Sequence, residues 1–162
     1  MDSLELPVAA GAQDAVRKAV RRRLRIRGIV IASACWATVI VSACMTPSRT
    51  GMGTHRQMGF PPCQWLATTG YPCPTCGMTT SMAAMAHGRF ALAWTAHPFG
   101  TVLFAAVLAA ALLGTFEACA GRDAFARLRP GMWWAWVPIL GLLAGWGLKV
   151  WMGCSAGRLP LR

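Results

Sequence analysis

The stretch "GYPCPTCGMTTSM", residues 70–82, sets Cys73 and Cys76 three positions apart among prolines, with Cys63 ten residues upstream. Cysteines at such spacing serve two chemistries: a close pair opens and closes as a disulfide, and several sulfurs together ligate a soft metal ion. For the first, Cys73 and Cys76 are the redox candidates. Pro72 and Pro74 keep the chain extended, Thr75 can cap, and the spacing predicts Cys76 in the first turn of a following helix. Unpaired backbone N–H groups there favour a thiolate, which makes Cys76 the expected reactive member. For the second, the candidate ligands are Cys63, Cys73, Cys76 and a fourth from His97 or His55, and zinc is the implied ion, each ligand atom coming within about 2.0–2.3 Å of it. His87 is excluded, because the helix rise carries it about 16 Å from Cys76. Five acidic residues assemble no paired carboxylates and no Ser-His-Asp set, so no further catalytic residue is assigned and the chain is read as non-enzymatic.

The elements that must position these cysteines are read from composition. Of 162 residues, 56% are hydrophobic and only 13% charged, which points to a membrane protein whose first partner is the lipid bilayer. The net charge of +11 raises the question of nucleic acid. Seven basic residues, however, fall in "RKAVRRRLRIR", directly before a long apolar run, where they act as a cytoplasmic anchor and imply no nucleic-acid partner.

The expected fold class is all-α: a helical integral membrane protein with three transmembrane helices and a short interfacial or re-entrant helix after the CxxC. The spans are predicted at 28–46, 98–118 and 132–152, each free of charge over most of its length and close to the ~30 Å of hydrocarbon. His97 is the predicted N-cap of the second span, ahead of Pro98. The third carries Trp133, Trp134 and Trp136 at one end and Trp146 and Trp151 at the other, as interfacial belts. Segment 77–96 holds His87, Gly88 and Arg89 in its middle and is read as a short helix ended by Gly88, not as a fourth span. Residues 1–27 are then a basic cytoplasmic tail, mobile over 1–16, with 28–152 one membrane domain and 153–162 a second tail. With the N-terminus cytoplasmic in a multi-pass inner-membrane protein, residues 47–97 face outward, into an oxidising compartment. "VSAC" at 41–44 also resembles a lipobox with Cys44 as lipid acceptor; the long basic region favours an uncleaved anchor.

Small residues mark packing faces. Gly141 and Gly145 form GxxxG, and Ala106, Ala110 and Gly114 form a seam, both expected to pack within the bundle or to recruit another membrane protein. Met78, Met82 and Met85 share a helix face and are read as flexible apolar packing. Glu117 and Lys149, near helix ends, are expected to snorkel to water.

The run "CQWLATTGYPCPTCGMTTSMAAMAHGRFALAWTAHPFG" resembles the small bacterial integral membrane proteins grouped as domain-of-unknown-function family 2752. Their pattern is a cysteine, G-x-P-C-P-x-C-G-x-T, a small-rich helix, H/R-G-x, and Asn-Pro or His-Pro before a span. The match runs through Cys63, Pro72, Cys73, Pro74, Cys76, Gly77, Thr79, Gly88 and Pro98 and covers roughly residues 60–120. This chain has Thr80 where many relatives have Arg, and His97 where they have Asn, so the resemblance implies no basic group beside the CxxC here. It implies a membrane location and a shared core and supplies no reaction. The leading expectation is a structural or accessory membrane protein with an extracytoplasmic cysteine cluster. A thiol-disulfide component, a zinc protein and a scaffold for a partner are the alternatives.

Overall fold

A computed structural model describes residues 5–126, 131, 136–157 and 159, with side chains in the first helix described from residue 11 onward. The described residues are all-helical: α1 (Glu5–Cys44), a 3-10 turn (Thr54–Met58), α2 (Gln64–Thr69), α3 (Met78–Ala86), α4 (Phe90–Ala96), α5 (Pro98–Ala120) and α6 (Trp136–Ser155). Three helices, over Gly11–Cys44, Pro98–Ala120 and Trp136–Ser155, are long and apolar enough to cross a membrane, as the sequence predicts. Their large side chains point outward: Ile29, Val30, Ile40, Val102, Leu112, Leu140 and Trp151 are all exposed. In water such faces would be a liability; against lipid tails they are the expected surface.

The N-terminal segment departs from expectation. Residues read as a mobile tail continue α1 without a break, giving a helix of 40 residues, about 60 Å at ~1.5 Å per residue. Alanine and arginine dominate this stretch, and their intrinsic helix preference carries the apolar helix back through the basic run. Segment 77–96 also differs, being two short helices. α3 ends at Ala86 and α4 begins at Phe90, with Gly88 at φ +69° between them, so the glycine does turn the chain where expected. Of the tryptophan belts, Trp133 and Trp134 lie outside the described residues, while Trp136 and Trp151 are exposed.

The chain divides into two compact units, Met1–Trp36 with Ala109–Arg129, and Ala37–Leu108 with Pro130–Arg162. In the first, α1 and α5 touch backbone to backbone. A Cβ on Gly28 would stand 2.6 Å from the Ala118 nitrogen and 2.8 Å from the Gly114 carbonyl oxygen, so only glycine fits. Glu117 is fully buried here and takes a bidentate pair from Arg27 at 2.7 Å, plus the Ala124 N–H. It does not snorkel as expected, because Arg27 supplies in place what water would have supplied. Arg27 also reaches Asp123, and Arg21 and Arg25 donate to the terminal carbonyls of α5 at Ala120 and Cys119.

The second unit holds the cysteines. Gly141 and Gly145 of α6 receive Phe99 at the start of α5, where added Cβ atoms would come within 2.6 and 2.7 Å of its side chain. The GxxxG face is thus used inside the protein. Ser81 donates to the His97 carbonyl and pairs with Thr101, and Thr80 pairs with Thr54 at 2.8 Å. These hydroxyls bind α3 to its neighbours in the unit.

Candidate functional site

The CxxC forms a turn ahead of the helix, not its first turn. Pro74 supplies a fixed φ at the second position, the Cys76 N–H closes onto the Cys73 carbonyl at 3.0 Å, and the N-cap of α3 is Gly77 at φ +86°. Cys76 therefore precedes the helix, and the expected thiolate-stabilising amides of a first turn are not what surrounds it. Gly77 is required twice over. Its φ is left-handed, and a Cβ there would lie 2.5 Å from the Ala96 carbonyl oxygen, 2.6 Å from Lys149 Nζ and 2.8 Å from the Gly51 carbonyl oxygen.

Three side chains grip the turn by alternate carbonyls. Trp146 Nε1 donates to Pro72 at 2.8 Å, His97 Nε2 to Pro74 at 2.9 Å, and Lys149 Nζ to Cys76 at 2.8 Å. Trp146 and Lys149 are one turn apart on α6; His97 caps α5. The predicted cap is real, since the Gly100 N–H donates to His97 Nδ1 at 3.3 Å. Together these bonds fix the imidazole tautomer: Nδ1 accepts and Nε2 carries the proton. Burial pushes His97 below the usual histidine range, against the Pro74 carbonyl, which favours the protonated ring; the Lys149 charge acts with burial. Lys149 is only 8% exposed, contrary to the snorkelling expected of it. Both Lys149 and Trp146, expected as an interfacial anchor, turn inward because the carbonyls of this turn face α6 and need donors.

Cys63, at the N-cap of α2, completes the cluster: the sulfurs of Cys63, Cys73 and Cys76 all lie within 4.8 Å of one another. Among the described residues, these three cysteines are a group that could hold a metal. His97, the fourth candidate ligand, stands outside the group with both ring nitrogens already bonded. His87 is exposed and bonds the Ala83 carbonyl of its own helix.

Cys73 Sγ is 3.1 Å from Cys76 Sγ, and the two thiols are unequal. Cys73 is half-buried; burial raises its pKa, but hydrogen bonds from Thr75, Cys76 and Cys63 outweigh that and bring it down to about 7. Cys76 is pushed up to about 12 by burial first and then by its hydrogen bonds to Cys73 and Cys63. Cys73 is therefore the more acidic thiol of the pair, and Cys76 the one that keeps its proton. This reverses the expected order of reactivity. Lys149 is the basic neighbour that the motif itself lacks: it lies 73 residues beyond Cys76, where no local spacing rule reaches it.

No curated protein and no solved structure matches the chain. Residues 63–111, from the first cysteine of the cluster into α5, match the model of the family described as Protein of unknown function (DUF2752).

Proposed function

We propose that this small multi-pass membrane protein is a thiol-disulfide component working on the extracytoplasmic side, with Cys73 as nucleophile and Cys76 as its resolving partner. The observation that carries this is the 3.1 Å contact between one acidic, accessible thiol and one buried, proton-holding thiol on a turn held at three carbonyls. The Cys73 thiolate attacks a disulfide of a partner protein, whose second sulfur leaves as thiolate. Cys76 then gives up its proton and attacks Cys73 Sγ, releasing the partner as a dithiol. Two electrons pass to the partner with the one proton that Cys76 held, water supplies the second proton of the dithiol, and the pair closes as a disulfide. Equilibration in glutathione buffers, acid quench and maleimide mass-tagging test this. Two thiols should be lost together in one two-electron step, and Cys73→Ser should abolish it; thiols that stay free at every potential sink the idea.

A second reading, a zinc site on Cys63, Cys73 and Cys76, is favoured by the convergence of three sulfurs. Sulfurs on tetrahedral zinc sit about 3.8 Å apart, given Zn–S of about 2.3 Å, so the 3.1 Å pair suits a dithiol better. Near-stoichiometric zinc in purified protein, lost in Cys73→Ser, would decide for the metal.

A further inference from the structure

The redox reading accounts for two of the three clustered sulfurs and leaves Cys63 without a task. Cys63 belongs to a different element, the N-terminus of α2, and still brings its sulfur within 4.8 Å of the other two. A disulfide bond is about 2.05 Å, so bonding needs a sulfur displacement below about 3 Å, within the reach of side-chain rotation. A cavity of about 360 Å³ lies beside the cluster, lined by Met52, Arg56, Pro62 and Leu66 together with Cys63 and Cys76. Cys73 is not part of that lining. A disulfide between Cys73 and Cys76 thus has only one of its residues in the cavity wall, whereas one between Cys63 and Cys76 would have both.

We propose that Cys63 is a third redox sulfur, which takes over the disulfide from Cys73 and carries it to the cavity wall. The proposal rests on the redox reading of the CxxC. In this step the Cys63 thiol loses its proton and attacks Cys76 Sγ; the bond between Cys73 and Cys76 breaks and the Cys73 sulfur leaves as thiolate. One S–S bond forms as one breaks, so no electrons enter or leave and no further oxidant is needed. The occupant implied for the cavity is a cysteine-bearing segment of a partner protein, with Met52, Pro62 and Leu66 against its apolar flank and Arg56 near its thiolate.

The test is disulfide mapping of the full-length protein in detergent, oxidised with oxidised glutathione, quenched in acid and digested. Wild type should yield a Cys63–Cys76 linked peptide alongside the Cys73–Cys76 link, and Cys73→Ser should yield neither, because the relay starts from the Cys73–Cys76 bond. Cys63→Ser should lose that peptide alone. A wild-type protein linked only between Cys73 and Cys76, with Cys63 fully alkylated, overturns the relay and leaves the redox pair standing. A wild-type protein forming no Cys73–Cys76 bond at all overturns both. The wild-type arm decides the matter even if Cys73→Ser fails to fold.

Discussion

Two cysteines three residues apart look interchangeable in a motif, and they become distinct through what each touches. Cys73 lies 3.4 Å from the Thr75 hydroxyl and 3.1 Å from the Cys76 sulfur, whereas Cys76 is buried. The nucleophile in thiol chemistry is the thiolate, so its rate of alkylation follows ionisation. Iodoacetamide should modify one thiol of the pair at a rate rising about tenfold per pH unit below about 7 and levelling above it, with the modified residue mapped to Cys73. Cys76, holding its proton to about 12, should stay unmodified across the same range. Faster labelling of Cys76 than of Cys73 would contradict the assignment. Residue chemistry of this kind was half legible beforehand. The prolines and spacing identify the pair, but which thiol ionises depends on burial and on hydrogen bonds from Thr75 and Cys63.

At the scale of elements, glycines decide which helices touch. In the unit formed by residues 1–36 and 109–129, Gly28 and Gly114 let α1 and α5 meet at backbone distance, and Gly28 is itself buried. Gly28→Ala would place a methyl group 2.6 Å from the Ala118 nitrogen, with no side-chain end to give way. Overpacking of this sort costs about 1–3 kcal/mol, so thermal unfolding in detergent should move to lower temperature. An unchanged midpoint would mean that this crossing does not hold the fold. Within the cysteine-bearing unit the same logic applies to Phe99 against Gly141 and Gly145. Both small-residue faces could be recognised from their spacing. Gly114 does meet α1 at Gly28, whereas neither the partner of Gly28 nor the inward turn of Trp146 and Lys149 could be read, since these depend on contacts between distant segments.

For the molecule as a whole, charge and span count predict the topology. With the basic run inside, an odd number of spans would put residues 47–97 and the C-terminal end outside, and residues 121–131 and the N-terminus inside. Exposed Cys44, Cys119 and Cys154 report on this directly. In intact cells a membrane-impermeant maleimide should label Cys44 and Cys154 and spare Cys119 until the membrane is opened. The opposite pattern would place the cysteine cluster in the reducing compartment and remove the basis for its redox role.

What the sequence determined by itself is whatever follows from local composition. Long charge-free runs make three helices able to span a membrane, since backbone polar groups in lipid must be paired within the segment. Pro72, Pro74 and Gly77 mark a turn, and His97 before Pro98 marks a helix start. Tertiary structure alone decided the rest. It brought Cys63 to the pair and left His97 outside it, and sent Trp146 and Lys149 onto the Pro72 and Cys76 carbonyls. The reason is physical: a buried carbonyl must find a donor wherever in the chain one can reach it, and sequence spacing carries no record of who is near whom across 73 residues.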